Sequence, residues 1–141
     1  MIVRRATPAD APVIAALLGE LGYPASPAEV VGRLERLAAF SSATALVADI
    51  EGQVVGVVTG HLFPSIHATP LVAWLTTLVV SSAAQSRGVG RQLVAAVEDW
   101  ARQAGAVRIS VTSASHRDAA HSFYEKIGYA HTGVRLTKSL T

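Results

Sequence analysis

The most informative stretch of the chain is LTTLVVSSAAQSRGVGR, residues 75–91, where a predicted strand leads into a predicted helix. Its first residues are the end of an apolar run that predicts a strand over 71–80. After a short polar loop, a long helix is predicted to begin at Gly88 or Val89 and to end at Gly105, a candidate cap. The apolar run is typical of a central strand covered on both faces. The stretch therefore predicts a mixed α/β domain in which a strand leads through a turn into a helix.

The turn before this helix has the chemistry of an anion-binding site. The first turn of a helix has backbone N–H groups without partners inside the helix, and it carries a partial positive charge. Gly88 and Gly90 lack the Cβ atoms that would block a ligand's oxygens, and Arg87 and Arg91 add positive charge. The turn therefore predicts a site for a pyrophosphate group. An ordinary glycine-containing turn between a strand and a helix has the same pattern and stays open as an alternative.

Two well-known phosphate-binding motifs do not fit this turn. The Walker A motif requires Gly-Lys followed by Ser or Thr, but Gly90 is followed by Arg91 and Gln92. The dinucleotide fingerprint requires a third glycine, and Leu93 stands at that position. The glycines therefore mark neither a P-loop nor a Rossmann dinucleotide site.

The rest of the chain supplies helices and strands on both sides of this stretch. Thr7 and Pro8 begin one predicted helix, and Ser26 with Glu29 forms a capping box that begins a second. The other predicted elements are strands at 2–6, 43–50 and 53–62, a loop with two prolines at 63–70, a strand at 107–112, a helix at 117–127 and a last strand or strands at 129–140. The predicted order is β-α-α-β-β-β-α-β-α-β.

A second motif, RDAAHSFYEKIGY at 117–129, follows the predicted strand at 107–112. The loop at 85–90, Q-x-x-G-x-G, resembles the acetyl-CoA loop of the GNAT superfamily of N-acetyltransferases. The part at 120–129 resembles the next motif of that superfamily, in the right order and at the right spacing. The resemblance implies an α/β (α+β) fold of the GNAT type, with a central mixed, mainly antiparallel sheet flanked by helices. We expect the whole chain, 1–141, to form a single domain of this kind.

The resemblance also implies roles for the matched residues. In the family, the backbone of the strand before the loop holds the pantetheine arm and thioester, and a backbone N–H polarises the acetyl carbonyl. Tyr124 matches the family's general acid, a phenol that protonates the departing thiolate. No metal site is expected. The implied acetyl-CoA-binding residues are Leu78, Val79, Val80, Gln85, Ser86, Arg87, Gly88, Val89, Gly90, Arg91, Arg117 and Tyr124.

Thr76 departs from the family pattern, because many relatives carry a glutamate at that position. Threonine cannot take the proton that an alkylammonium substrate must lose before it attacks. His116 and His121 are the candidate bases near the second motif, and His61 and His67 could face the acceptor. Water, or the environment of the substrate itself, is the alternative.

Arg117 is a second departure, because many relatives have an asparagine there that contacts the cofactor. With Arg135 it could accept an acidic group on the substrate. The residues around 116–124 and 135–138 resemble a bacterial subgroup that includes enzymes acetylating small aminoalkyl compounds. By the same resemblance, the acceptor site is expected at 21–27, 61–70 and 130–135.

Composition narrows the class of protein. The 141 residues include no cysteine, which excludes disulfides, thiolate metal sites and a cysteine nucleophile. The formal net charge is +2, and the arginines are scattered along the chain, which argues against a nucleic-acid partner. No apolar run reaches the ~18 residues of a membrane span, so we expect a cytoplasmic protein without a membrane partner.

The expected function is transfer of an acetyl group from acetyl-CoA to a primary amine of a small molecule, by direct attack in a ternary complex. Relatives of this type are often dimers, so a homodimer is one expected arrangement. Two alternatives stay open: a domain that binds acetyl-CoA as a sensor without turnover, and an enzyme that acetylates protein amines.

Overall fold

The computed structural model describes residues 1–112 and 118–141, which fold into strands and helices in the predicted order as far as the last helix. The strands are β1 (Ile2–Arg5), β2 (Ala43–Ile50), β3 (Gln53–Ser65), β4 (Ala68–Val80) and β5 (Ile109–Val111). The α-helices are α1 (Ala11–Leu21), α2 (Pro27–Ala38), α3 (Val89–Gln103) and α4 (Asp118–Lys126). Short 3-10 turns at Pro8–Asp10 and Ser82–Ala84 precede α1 and α3.

The strands form one sheet in the order β1-β2-β3-β4-β5. Neighbouring strands from β1 to β4 are antiparallel, and β5 is parallel to β4. A parallel pair needs a crossover connection, and α3 provides it. The predicted mixed, mainly antiparallel sheet is therefore confirmed.

Helices cover both faces of the sheet. On one face, α1 and α2 pack on the sheet through a cluster of buried residues that includes Ile14, Leu17, Val30, Val47 and Val57. On the other face, α3 and α4 pack on the sheet through a second cluster that includes Val58, Leu75, Leu93, Val97 and Tyr124. Successive residues of β3 point to opposite faces, so Val57 and Val58 belong to different clusters.

Two glycines of β3 face helix α3, where a larger side chain has no room. A Cβ atom on Gly60 would be 3.0 Å from Val97 Cγ1 and 3.2 Å from Trp100 Cζ3. A Cβ atom on Gly56 would be 2.9 Å from Leu93 Cδ1. Side chains larger than glycine at these positions would therefore push the helix away from the sheet.

Capping confirms the predicted helix starts. Ser26 Oγ accepts a hydrogen bond from the Glu29 backbone N–H at 3.1 Å, and the Ser26 N–H donates to Glu29 Oε1 at 3.0 Å. This reciprocal pair is the predicted capping box at the start of α2. Thr7 caps the 3-10 turn that leads into α1, with Pro8 at its first position.

A charged group ties the start of the chain to α1 and the sheet. The Arg4 guanidinium donates two hydrogen bonds of 2.9 Å to the carboxylate of Asp10, and its Nε donates to Asp49 at 3.2 Å. The Thr7 backbone N–H donates to the same carboxylate of Asp10 at 2.7 Å. Asp10 is buried, and the hydrogen bonds from Arg4 hold its pKa below the usual value.

Two predictions about the strands are wrong. The loop predicted at 63–70 is not formed, because β3 and β4 continue through it as a long hairpin. Prolines disfavour strands because they cannot donate a ladder hydrogen bond. Here the pairing skips a residue between Phe63 and Ser65, so Pro64 lies at an irregularity where the ladder is already broken.

The second wrong prediction is the last strand at 129–140, where the chain has neither strand nor helix. Its apolar residues Val134, Leu136 and Leu140 are exposed by 87%, 91% and 93%. Alternating apolar residues favour a strand only where a partner edge covers them, and β5, at the edge of the sheet, has only 3 residues.

Candidate functional site

Strand β4 extends beyond its pairing with β5, and we call the unpaired edge of β4 at 76–80 the fork. The two strands pair only from Ala73 with Ile109 to Leu75 with Val111. Strand β4 continues to Val80 while staying paired with β3 on its other side. Within residues 1–112 and 118–141, no strand pairs with β4 on the β5 side beyond Leu75. The fork therefore presents one edge of the β4 backbone to a ligand.

The predicted cofactor-binding residues of β4 lie along this fork. Val79 is buried in the cluster under α1 and α2, whereas Leu78 and Val80 pack against the cluster under α3 and α4. Their side chains are therefore part of the core. Only their backbone groups are placed to bind a ligand in the fork, which is the role that the family resemblance implies for them.

The loop after β4 brings the predicted anion site to the end of the fork. Ser86 and Gly88 have left-handed backbone conformations with φ of 68° and 76°, and the Gln85 side-chain amide lies 3.5 Å from the Val80 carbonyl oxygen. Arg87 and Arg91 are exposed beside the loop. These two arginines and the start of α3 together give the loop a positive electrostatic potential.

Helix α3 begins here without a side-chain cap and without an acidic residue in its first turn. The Gln92 N–H donates to the Gly88 carbonyl oxygen at 3.1 Å, so the helical ladder starts there and the preceding N–H groups lie outside it. Gly88 has no atom within 4 Å of the position a Cβ would occupy. The free N–H groups and the open approach are suited to phosphate oxygens.

Two of the predicted loop residues also have packing roles. The Val89 side chain is only 2% exposed and belongs to the core, so only its backbone can contact a ligand. A Cβ atom on Gly90 would lie 3.4 Å from Phe123 Cζ, which brings α4 close to α3. The sequence alone did not distinguish this packing role from ligand access.

Tyr124, the predicted general acid, lies in α4 and is 9% exposed. Its ring makes edge contacts with Phe123 and Tyr129, at centroid distances of 5.2 and 5.5 Å. Burial raises the pKa of Tyr124 to about 12, so the phenol stays protonated at neutral pH. The Tyr129 hydroxyl donates to Glu98 Oε2 at 2.8 Å and fixes the end of α4 to α3.

The predicted bases are placed differently from one another. His121 lies on α4, and its ring makes an edge contact with His131 at 5.9 Å. His67 is exposed at the tip of the hairpin formed by β3 and β4. His116 lies outside the described residues, as does Arg117, which was predicted to contact the cofactor.

A cavity of about 320 Å³ lies between α1, α2 and the sheet. Its apolar wall includes Ile14, Leu18, Val30 and Leu34. Among the residues that the structure describes, no aspartate or glutamate lines it. Its polar and charged lining residues are Arg33, Arg36, Thr59, His61, Thr76 and Thr77.

The cavity only partly matches the expected acceptor site. Of the three expected ranges, 61–70 contributes His61, whereas 21–27 and 130–135 contribute no lining residue. The chain at 130–135 forms no strand, so it adds no wall to the cavity, and Arg135 does not line it. Arg33 and Arg36 were missed, because the helical pattern of α2 also fits two solvated surface arginines.

A β-bulge places Thr76 where the cavity meets the fork. Thr59 pairs with Thr77 and Gly60 pairs with Leu75, so Thr76 is an extra residue in β4. The hydroxyl oxygens of Thr59 and Thr76 lie 2.7 Å apart, within hydrogen-bonding distance. Thr76 also directly follows Leu75, the last residue of β4 that pairs with β5. The position at which many relatives carry a glutamate therefore lies at this junction. In this chain it is Thr76, which cannot act as a base.

Comparison with known proteins identifies the family. A sequence model of the Acetyltransferase (GNAT) family matches residues 15–129. The chain is 35% identical over 89 residues to an aminoalkylphosphonate N-acetyltransferase of Salmonella typhimurium, covering 63% of this chain and 58% of that enzyme. It is 31% identical over 134 residues to an aminoglycoside N(6')-acetyltransferase type 1 of Stenotrophomonas maltophilia, covering 92% of this chain and 86% of that enzyme.

A solved structure agrees with these sequence matches. The fold matches a putative acetyltransferase from Agrobacterium tumefaciens with a TM-score of 0.87 and 25% identity, covering 98% of this chain and 100% of that one. The chain therefore belongs to the GNAT family of acetyltransferases. It spans 58% of the length of the Salmonella relative.

Two features are absent from residues 1–112 and 118–141. No helix in that part of the chain is both long and apolar enough to cross a membrane. The same residues contain no group of three or more His, Cys, Asp or Glu side chains arranged to hold a metal ion.

Proposed function

We propose that the protein is an N-acetyltransferase that moves an acetyl group from acetyl-CoA to a primary amine of a small molecule. The observation that carries this proposal is the junction at Thr76, where the acceptor-sized cavity meets the fork beside β4. Direct attack requires the amine and the thioester to meet at one point. The cavity approaches such a point from the face covered by α1 and α2, and the fork approaches it along the unpaired edge of β4.

The donor side of the proposal rests on the fork and the loop that follows it. The backbone of Leu78, Val79 and Val80 would hold the pantetheine arm, and the loop at 85–91 would hold the pyrophosphate. Acetyl-CoA supplies an activated acyl group on sulfur. The uncapped start of α3 and the left-handed Gly88 fit the phosphates, because N–H groups are free and no side chain blocks them.

The acid in this proposal is Tyr124. Its raised pKa of about 12 keeps the proton on the phenol at neutral pH. A thiolate is the leaving group of the transfer, and a neutral phenol can hydrogen-bond to the sulfur and donate its proton there as negative charge develops, provided that the phenolate is reprotonated. Burial of Tyr124 keeps competing water away from that proton.

The acceptor side favours a small amine with an acidic group. The two named relatives point to substrates of opposite charge, since an aminoalkylphosphonate carries an anion and an aminoglycoside is polycationic. Arg33 and Arg36 line the cavity, and among the described residues no carboxylate does. Arginines attract phosphonates and carboxylates and repel additional ammonium groups. Transfer to protein amines stays as a third option, since the cavity is open to solvent.

The test is release of free CoA from acetyl-CoA, measured with a thiol reagent across amines of matched size. The panel contains aminoalkylphosphonates, amino acids, polyamines, aminoglycosides and peptides with free N-termini. The chain has no cysteine, so the protein adds no thiol background. We expect the highest kcat/KM with the anionic amines. Binding of CoA without thiol release from any amine would favour the sensor alternative instead.

The proposal includes a cytoplasmic location, a single domain over 1–141 and a homodimer. Cell fractionation tests the first, limited proteolysis tests the second, and analytical ultracentrifugation tests the third. A monomer would leave the transfer reaction itself unchanged, because the fork and the cavity are formed within one chain.

A further inference from the structure

We propose that His61 takes the proton from the acceptor ammonium, in place of the glutamate that Thr76 replaces. This inference rests on the proposed acetyl transfer and deepens it, because it assigns the missing base of the same site. An alkylammonium has a pKa of about 10 and holds no free electron pair for attack. A neutral imidazole within the acceptor cavity is the natural group to remove that proton at neutral pH.

His61 lies on the wall of the cavity, next to the junction. It is on β3, two residues from Thr59, and therefore on the same face of the strand. The Cα atoms of residues two apart in a strand are about 7 Å from each other. Thr59 in turn lies within 2.7 Å of Thr76 through their hydroxyl oxygens. An amine of a few atoms in this space reaches both the imidazole and the end of the fork.

Neighbouring rings hold the imidazole in place. It stacks on Phe63 with a centroid distance of 6.3 Å and an interplanar angle of 27°. Phe63 makes an edge contact with Trp74 at 6.4 Å, and the Trp74 indole N–H donates to Thr112 Oγ1 at 3.2 Å. The aromatic series thus connects His61 through β4 to the residue after β5, which restricts the position of the imidazole ring.

The surroundings favour the neutral form of His61, which is the form that accepts a proton. Partial burial lowers its pKa. The charged residues that face the cavity are Arg33 and Arg36 of α2, and they add positive charge. The cavity-lining residues of α1, β2 and β4 add no acidic or basic side chain. Among the residues that the structure describes, no carboxylate in the lining stabilises an imidazolium, so a proton taken from the substrate is readily passed to solvent.

The other described histidines are less suited to this role. His121 belongs to α4, which packs on the opposite face of the sheet from the cavity. His67 is exposed at the tip of the hairpin and does not line the cavity. His131 is exposed beside Glu125 of α4, at 3.3 Å, and does not line the cavity either.

The transfer balances with His61 as the proton acceptor. The ammonium gives one proton to the imidazole, and the free amine attacks the thioester carbon. The C–N bond forms and the C–S bond breaks, which leaves one proton too many on nitrogen and a negative charge on sulfur. Tyr124 gives its proton to sulfur, which forms the thiol, and the extra proton on nitrogen passes to the Tyr124 phenolate, which restores the phenol. His61 releases its proton to solvent.

The experiment compares His61→Gln with the matched control His67→Gln. Glutamine keeps the size and polarity of the side chain but cannot accept a proton at neutral pH. We expect kcat/KM at pH 7 to fall about 100-fold in His61→Gln and less than twofold in His67→Gln. We also expect the wild-type profile to lose activity as the pH falls through the pKa of His61. This acidic fall in activity should be absent from the pH profile of His61→Gln. In a separate test, added imidazole should restore activity to His61→Ala.

A second readout does not depend on turnover. NMR titration of the imidazole signals, assigned by their loss in His61→Gln, measures the His61 pKa in the folded protein. We expect a value below that of free histidine, and a further change when the acceptor binds without acetyl-CoA. Calorimetry is expected to give the same affinity for CoA in all variants, which shows that the donor site is intact.

The outcomes separate this inference from the proposed function. A wild-type protein that acetylates an amine, together with an His61→Gln variant within threefold of it and with the same pH profile, overturns the role of His61 alone. A wild-type protein that transfers acetyl to no amine overturns both proposals. If His61→Gln does not fold, the His61 signal is assigned by its loss in His61→Ala instead, and the titration of the wild type decides: a pKa that does not respond to the acceptor overturns the role.

Discussion

Replacement of Gly88 by alanine tests whether the start of α3 is the pyrophosphate site. Gly88 has φ of 76° and ψ of 11°, in the left-handed region that residues with a Cβ atom avoid. Forcing alanine into that conformation costs about 1–2 kcal/mol. The variant can bear this strain in place, which lowers stability, or relax the loop, which moves the N–H groups that face the ligand.

The structure offers a matched control for this strain. Gly52, in the turn between β2 and β3, has φ of 85° and, like Gly88, no atom within 4 Å of the position that a Cβ would occupy. Gly52→Ala should therefore cost similar stability, about 1–2 kcal/mol, in a turn that is not part of the loop at 85–91. Any difference in CoA binding between the two variants then reports on the site and not on the fold.

The expected loss of affinity follows from the same strain. If about 1.4 kcal/mol is spent in restoring the loop on binding, the Kd for CoA rises about tenfold. The added methyl group also stands in the open approach to the first turn of α3. We expect Gly88→Ala to weaken CoA binding at least tenfold by calorimetry and Gly52→Ala to leave it within twofold. Urea unfolding should show similar losses for both.

Equal CoA affinity in Gly88→Ala and Gly52→Ala, with the same loss of stability in both, would refute this placement of the pyrophosphate. That result would mean that the pyrophosphate does not bind at the start of α3 and that Gly88 serves only to form the turn. Weak binding in both variants would instead show that loss of stability alone impairs the site.

Three further predictions concern the core, the buried carboxylate and the proposed acid. Gly60→Ala should lower the free energy of unfolding by about 1–3 kcal/mol in urea, because its Cβ would lie 3.0 Å from Val97 Cγ1. Asp10→Asn should lower it by about 2 kcal/mol at pH 7. Because hydrogen bonds from Arg4 lower the pKa of Asp10, this stabilisation is present above the carboxyl's unfolded pKa and is lost as the pH falls through its folded pKa. The difference between wild type and Asp10→Asn should therefore shrink below about pH 4. Tyr124→Phe should lower kcat about 100-fold and leave the Kd for CoA within threefold, since it removes only the proton donor.

Each of these predictions has a control elsewhere in the chain. Gly32 lies in α2, and no atom is within 4 Å of the position that its Cβ would occupy, so Gly32→Ala should stabilise the protein by about 1 kcal/mol. A similar stabilisation by Gly60→Ala would contradict the packing argument. Asp99→Asn breaks only an exposed pair with Arg102 and should be nearly neutral at every pH. Tyr23→Phe alters an exposed phenol and should leave kcat unchanged. A similar kcat for Tyr124→Phe and wild type contradicts the assignment of the acid.

Local signals predicted most of the fold from the sequence. The capping box at Ser26 and Glu29 and the apolar periods of the helices depend on neighbours a few residues away, and the structure confirms them. The last strand failed because a strand depends on a partner edge, which the sequence at 129–140 does not contain. The loop predicted at 63–70 was wrong because Pro64 lies at a break in the strand pairing, where a proline is tolerated within a long hairpin.

The sequence predicted only those parts of the candidate site that lie within a recognisable motif. The loop at 85–91 and Tyr124 were proposed because their spacing resembles a family pattern, and their roles stay predictions. The cavity was not predicted, because Arg33 of α2, Thr59 of β3 and Thr76 of β4 come together only when the helices pack on the sheet. The bulge that brings Thr76 toward Thr59 depends on the register between two strands, and no local pattern shows it.

The central claim is that one chain brings an acetyl donor and an amine together at the junction of the fork and the cavity. The most direct test measures thiol release and N-acetylated product in the same reaction, the latter by mass spectrometry, with acetyl-CoA and an anionic primary amine. We expect one molecule of acetylated amine for each molecule of CoA released. Thiol release without acetylated amine, or CoA binding with neither product, would contradict the claim.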